Sequence, residues 1–294
     1  MSKSAPVAKI VEQNTLLGIA FMCLAVTFFP FMNSMVKYLS ADYSIPMIVW
    51  ARYAGHFLFM LIVFMPKHGI GLFKTGHVKS QTFRSLLLLT STSCYFYAVH
   101  FLPLTTAAAI SFTSPFIVVG LSIIFLGERV GPRRWAAVGI GFLGVLIIIR
   151  PGIEGFHWSA FLVLTSAFCY ACFQVMTRRL ASQDSNLITT TYTALVGAVV
   201  ASLALPFFWS DPIDLQDILM LCSLGIFGGL GHHMVILALQ YGEASVVSPF
   251  VYGQIILATV LGYLIFGDFP DHWTWLGAAI IVTCGIYIAA RENR

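Results

Sequence analysis

The chain has 294 residues, 59% of them hydrophobic and 10% charged, where an average soluble domain is roughly a quarter charged. A soluble core of this length cannot hide so much apolar surface, so the excess must face lipid; this excludes a soluble enzyme, a disordered binder and a secreted disulfide scaffold. The formal charge of +4 does not indicate nucleic acid, because the basic residues cluster in loops between apolar runs, and the partner implied is a lipid bilayer.

A membrane-spanning helix needs about 20 mostly apolar residues. Ten such runs are read at 16–38, 46–65, 84–101, 104–126, 133–150, 158–177, 187–208, 217–239, 244–266 and 273–290. The pattern predicts an all-α polytopic membrane protein, without the alternating ten-residue segments of a β-barrel. Pro66 to Arg84, with Gly69, Gly71, Gly76 and three lysines, reads as a surface loop. With the N-terminus inside, Lys3, Lys9, Lys67, Lys74, Lys79, Arg84, Arg129, Arg133, Arg134, Arg178, Arg179, Arg291 and Arg294 are cytoplasmic, leaving Lys37 and Arg150 outside and Arg52 within a span. The loop holding Asp211, Asp214 and Asp217 is purely acidic. So skewed a distribution predicts that both termini are cytoplasmic. The first run is too long for a signal-peptide core and is read as a span.

A shift of 140 residues lays Ala98 on Ala238, Phe101 on Tyr241, Gly127 on Gly267, Glu128 on Asp268 and Trp135 on Trp275. At a shift of 141, Lys37-Tyr38-Leu39 falls on Arg178-Arg179-Leu180. This predicts two repeats, residues 1–150 and 151–294, of five helices each. Five is odd, so the second copy runs upside down relative to the first, an arrangement used by many secondary transporters with a site near the midplane.

The segment Phe125-Leu126-Gly127-Glu128-Arg129, followed by Pro132, Trp135, Gly139, Gly141 and Gly144, resembles the end of an EamA repeat. The second copy is weaker: Ala244-Ser245, Ser248-Pro249, Phe266-Gly267-Asp268 and Trp275-Leu276-Gly277, with Asp268 where Glu is more usual. Over essentially the whole chain this resembles the drug/metabolite transporter superfamily. The resemblance implies a carrier of small metabolites, and its general look is closest to bacterial amino-acid exporters, aromatic ones included. A nucleoside, vitamin or drug-like substrate is the alternative.

Polar residues inside spans are the candidate site. Arg at a helix centre costs about 2.5–3.5 kcal/mol on insertion scales, so Arg52 should meet a cavity or a partner. It either snorkels to an interface and holds carbonyls, or anchors a substrate carboxylate. His56 lies one turn further on the same face. The third run carries a stripe of Thr90, Ser93, Tyr97 and His100; the sixth carries Ser166, Tyr170, Gln174 and Thr177; the ninth carries Ser245, Ser248 and Tyr252. Hydroxyls often serve helix packing, so the expected substrate-binding set is Arg52, His56, Tyr97, His100, Gln174, His232 and Tyr252. Adjacent His232 and His233 point about 100° apart, which disfavours a shared metal, and neither metal nor cofactor is expected.

Gly225, Gly228, Gly229 and Gly231 form a small-residue seam for close helix contact. Pro30, Pro115 and Pro249 interrupt helical runs. Pro115 and Pro249 are expected hinges at positions that do not correspond under the repeat, so that the two halves bend differently. The six cysteines are expected to pack as small apolar residues. No P-loop and no Asp or Glu in mid-span is present, so facilitated diffusion is favoured over proton coupling through a histidine. The expectation is an inner-membrane exporter of a bacterium, not an enzyme, acting by alternating access. Oligomeric state is left open, a monomer being plausible. An intramembrane enzyme and a channel are the alternatives from other classes.

Overall fold

The computed structural model describes residues 14–128, 131–149 and 157–292. Lys3, Lys9, Arg129, Arg150 and Arg294 of the charge argument lie outside these described residues. The helices are α1 (Thr15–Leu39), α2 (Ile45–His68), α3 (Val78–Phe101), α4 (Leu104–Ser111), α5 (Thr113–Leu126), α6 (Pro132–Ile149), α7 (Ala160–Leu180), α8 (Asn186–Ala204), α9 (Leu215–Tyr241), α10 (Ala244–Val247), α11 (Gln254–Phe266) and α12 (His272–Glu292). Short 3-10 turns follow α2, α8 and α10. Among the described residues, seven segments are long and apolar enough to cross a membrane: Thr15–Leu39, Ile45–Phe73, Leu104–Leu126, Ala160–Leu180, Asn186–Phe207, Leu215–Tyr241 and Ala244–Phe266. The protein is a polytopic membrane protein.

Local chemistry sets the helix starts. Asn14 accepts from the Leu17 amide at 3.1 Å, Asp214 from Asp217 at 2.9 Å and Asp271 from Thr274 at 2.8 Å, each supplying a side-chain acceptor to an otherwise unpaired amide. Pro46 opens α2, where its missing N–H is no loss. At the far ends of α5 and α11, Gly127 (φ 68°) and Gly267 (φ 70°) adopt the left-handed cap. The amides that follow, of Glu128 and Asp268, reach back to Ser122 and Gly262 at 3.3 and 3.1 Å. That closure, six residues back along the chain, recurs 140 residues apart and turns on a left-handed residue that glycine adopts without a Cβ penalty.

Two of the apolar segments are not continuous helices. The run 104–126 breaks at Phe112 between α4 and α5, and the run 244–266 holds a 3-10 turn, Ser248–Gly253, between α10 and α11. Pro115 lies in the first turn of α5 and Pro249 inside the 3-10 turn. The prolines themselves do not correspond, but the interruptions do: Phe112 shifted by 140 is Tyr252.

Packing is between the halves of the chain. α1 lies along α9, α3 along α7, α6 along α12, and α2 against both α8 and α9. The glycine seam of α9 makes the α2 contact: a Cβ on Gly225 would fall 2.2 Å from the Gly55 carbonyl carbon, and one on Gly229 2.7 Å from the His56 ring. Backbones can approach this closely only because these side chains are absent.

A second correction concerns Arg84. It is not in a surface loop: α3 begins at Val78, and Arg84 lies inside it, wholly buried. Its Nη2 donates to the Thr189 carbonyl and Thr193 Oγ1, both at 2.6 Å, its Nη1 to Thr177 Oγ1 at 3.1 Å and its Nε to Gln81 Oε1 at 3.2 Å. Gln81 in turn donates to Asp184 at 2.8 Å, which also receives Thr75. The network ties α3, α7 and α8 together at one end of the bundle. At the other end, Tyr43 donates to Asp217 at 2.5 Å and Ser44 to the Phe208 carbonyl at 2.7 Å. Cys23 and Cys222 are exposed rather than packed inside.

Candidate functional site

Between the halves lies a cavity of about 100 Å³, small beside the roughly 300–1,000 Å³ usual for ligand pockets. Its aromatic walls are Phe29, Tyr95, Phe96 and Tyr170, and its polar lining includes Asn33, Ser91, Thr92, Ser114, His232 and Gln254. The lining thus draws on α1, α3, α5, α7, α9 and α11, and it contains no Asp or Glu. Ser111 and Ser114 flank the break between α4 and α5, where the run of helical hydrogen bonds is interrupted. Discontinuous helices of this kind place polar groups at substrate sites in transporters.

Several buried polar atoms around this cavity have no hydrogen-bond partner among the described residues. They are all three nitrogens of Arg52, both ring nitrogens of His56, both polar atoms of Gln174, Nδ1 of His232, and the hydroxyls of Ser114, Tyr170, Ser248 and Tyr252. Buried polar groups are paired in more than about nine cases of ten, so this cluster of orphans makes the region the candidate site.

The expected residues separate on this geometry. His232, 4% exposed, lines the cavity with its ring 5.0 Å from Phe29 and 6.2 Å from Tyr170. His233 turns away to bond Thr190 Oγ1 at 2.9 Å, so the two histidines diverge. Arg52 and His56 are fully buried against Gly228 and Gly229 of α9. They sit behind the cavity wall rather than on it, with the guanidinium carbon 4.2 Å from the Tyr53 ring centre. Gln174 is wholly buried, one turn along α7 from Tyr170. Tyr252 is buried behind the α11 wall, its ring 5.0 Å from Phe112.

Tyr97 and His100 are not brought to the cavity. Tyr97 is 41% exposed, and His100 is exposed near the end of α3, its Nδ1 3.1 Å from Ser40 Oγ. The face of α3 that turns inward is Leu88, Ser91, Thr92, Tyr95 and Phe96. The helix carries hydroxyls on two interleaved faces, and the stripe ending in His100 is the outward one. Hydroxyls alone cannot tell the faces apart, because an exposed Thr can bond its own helix, as Thr165 does to the Phe161 carbonyl at 2.9 Å. Sequence reasoning also left Ser91, Ser114 and Gln254 unmarked. Ser114, beside Pro115 in a run that reads as helix, carried the one available signal.

The bundle has two further polar constructions outside the cavity. The Glu128 carboxylate accepts from the Ala244 and Ser245 amides at the start of α10, at 3.1 and 3.2 Å, and Arg178 donates to the Leu239 and Gln240 carbonyls at the end of α9, both at 2.9 Å. The positions that match them in the other half, Asp268 and Lys37, pair with each other at 2.6 Å instead.

Comparison with known proteins gives these features a family. A riboflavin transporter of Rhizobium johnstonii is 29% identical over 288 residues, covering 97% of this chain and 95% of its own. An S-adenosylmethionine uptake transporter of Rickettsia bellii is 29% identical over 241 residues, covering 81% and 82%. A pseudopaline exporter of Pseudomonas aeruginosa is 30% identical over 285 residues, covering 94% and 97%. A solved crystal structure superposes with a TM-score of 0.72 at 17% identity, over 95% of this chain and 98% of that one, and so shares the fold. The EamA-like transporter family matches twice, over residues 16–150 and 157–291, and each stretch contains one of the paired glycine caps and one of the broken helical runs. With nearly all of its length accounted for by these two matches, the chain belongs to the EamA-like transporter family.

Proposed function

We propose that the chain is a secondary carrier that moves a small metabolite through the cavity between its halves by alternating access. In this reading ten spans form two five-helix units of opposite orientation, with both termini cytoplasmic in a bacterial inner membrane. The observation that carries the reading is one cavity lined by unpartnered polar atoms from both halves, those of Ser114, Tyr170 and His232. The packing supports the repeat: renaming each helix of one unit for its counterpart turns the α1–α9 contact into α7–α3, and leaves α6–α12 unchanged. A cavity this small must widen to admit a metabolite, and the interruptions at Phe112 and Ser248–Gly253, with Pro115 and Pro249 beside them, are where we place the bending.

Of the residues expected to bind substrate, His232, Gln174, Tyr252, Arg52 and His56 stay in the proposed site, joined by Tyr170, Ser114 and Gln254. Tyr97 and His100 leave it. The aromatic walls suit a flat or apolar body. The expected amino-acid substrate fits less well, because no acidic side chain of the lining could pair with an ammonium group. With no carboxylate lining the cavity to relay protons, net flux follows the gradient of the substrate. The relatives named for uptake and for export fit a carrier whose direction is set by supply.

The test is efflux from proteoliposomes loaded in turn with labelled riboflavin, S-adenosylmethionine and aromatic amino acids. A carrier gives saturable efflux that speeds up when unlabelled substrate is placed outside. Non-saturable flux without this trans-stimulation would identify a channel instead.

A further inference from the structure

Arg52 has a surrounding that the carrier reading does not explain. It is 0% exposed, and none of Nε, Nη1 and Nη2 has a partner among the described residues. The described ion pair, Lys37 with Asp268, lies elsewhere, at the start of the loop after α11. The remaining described acidic side chains stand at helix ends or in loops, as Asp184, Asp217 and Glu128 do. Among the described residues, this fixed positive charge inside the bundle therefore has no counter-charge.

The position is built rather than incidental. A Cβ on Gly228 would meet Arg52 Nε at 3.0 Å and the sulfur of Met32, a cavity-lining residue, at 3.3 Å. A Cβ on Gly229 would strike the His56 ring at 2.7 Å, and one on Gly231 would strike Phe29, also cavity-lining, at 2.7 Å. Within about one turn of α9, Gly228, Gly229 and Gly231 thus make room for the guanidinium, for the unpartnered imidazole of His56 and for the cavity wall. Met32 both lines the cavity and flanks the same Gly228 position as Arg52 Nε, and its unbranched thioether can change rotamer with little resistance. His232, the next residue along the stripe, opens onto the cavity directly.

We propose that this face of α2 is an anion subsite, and that the transported molecule carries a carboxylate which enters past Met32 to be held by Arg52, with His56 beside it. The proposal rests on the carrier reading above and names the substrate class for the same site. The planar guanidinium fork matches a carboxylate with two parallel hydrogen bonds. A single fixed charge matches a monoanion; a phosphate dianion would remain half uncompensated. The rest of the molecule, flat or apolar, occupies the space walled by Phe29, Tyr95 and Tyr170.

The test uses the full chain purified in detergent, with thermal unfolding followed as a ligand is added. The probes are three acids with their neutral amides: benzoate and benzamide, phenylacetate and phenylacetamide, indole-3-acetate and indole-3-acetamide. At least one acid is expected to raise the unfolding temperature saturably while its amide does not. Arg52→Met is expected to weaken that acid by about 100-fold, the scale for removing one side of a buried charge contact, and Arg52→Lys by less. Should Arg52→Met fail to fold, Gly228→Ala, which crowds Nε, serves with the same expectation of weaker acid binding and unchanged response to amides. Acids and amides acting alike, none of the three acids binding, phenyl phosphate binding better than benzoate, or Arg52→Met responding like the parent would each overturn the proposal. Trans-stimulated flux of a neutral substrate, equal in Arg52→Met, would do so too while leaving the carrier reading intact. Acid binding lost in Arg52→Met, with no flux in proteoliposomes, would retain the subsite and remove the carrier.

Discussion

Two arginines are wholly buried among the described residues, and they differ in one respect. Arg84 directs its nitrogens at Gln81, Thr177, Thr189 and Thr193; Arg52 directs its nitrogens at no protein acceptor. Both are stacked on an aromatic ring, Phe173 at 4.9 Å and Tyr53 at 4.2 Å, so burial and stacking do not distinguish structure from function. What distinguishes them is whether the protein supplies the acceptors. Where it does, the arginine is a tie between helices; where it does not, the acceptors must come from outside the fold.

The largest effect should follow from breaking the satisfied arginine. Arg84→Met removes the N–H donors to Gln81 Oε1, Thr177 Oγ1 and Thr193 Oγ1, and it should lower stability by about 3 kcal/mol, seen as an early thermal transition in detergent. Gly225→Ala comes next. Its Cβ cannot coexist with the Gly55 backbone 2.2 Å away, so α2 and α9 must separate, at about 1–3 kcal/mol.

Arg52→Met should have the opposite sign from Arg84→Met in the absence of ligand. Replacing an unpaired buried charge by an apolar side chain of similar length is neutral or stabilising, by up to about 1–4 kcal/mol, while carboxylate binding falls. A destabilised Arg52→Met would erase the contrast between the two arginines.

Smaller effects separate the two ends of the repeat. Glu128 caps the start of α10, so Glu128→Gln should cost about 1 kcal/mol through lost charge at a helix N-terminus. Asp268→Asn breaks a partly exposed pair with Lys37, worth at most about 1 kcal/mol and weakened by salt. Smallest of all, Tyr97→Ala should leave flux unchanged; a large loss would return the outward face of α3 to the site.

Much of the fold was legible because bilayer physics constrains it tightly. The run 104–126 coincides with α4 and α5 together, and the run 244–266 with α10 to α11, since apolar length alone marks a span. The glycine seam was legible as a contact surface, because small residues at helical spacing have few other uses in lipid. Arg84 was misplaced because charge near glycines and lysines reads as a loop; only the tertiary acceptors on α7 and α8 let it lie inside. Of the α7 stripe, Ser166 and Tyr170 line the cavity, Gln174 is buried without lining it, and Thr177 bonds Arg84. The α3 face was misread, because His100 drew the stripe to the side of the helix where it meets Ser40. The breaks at Phe112 and Tyr252 were half legible, through the prolines nearby, yet their correspondence under the repeat emerged only from the backbone.

The account stands most directly on whether one cavity faces each side of the membrane in turn. The measurement is labelling of a single thiol, Ser114→Cys, in a background where the six native cysteines are replaced, using a membrane-impermeant maleimide applied from one side or the other of sealed vesicles. Ser114 lines the cavity and has no hydrogen-bond partner to lose. We expect labelling from both sides, each slowed by transported substrate. Labelling from one side only, or equal labelling from both unaffected by any transported substrate, would contradict alternating access through this cavity.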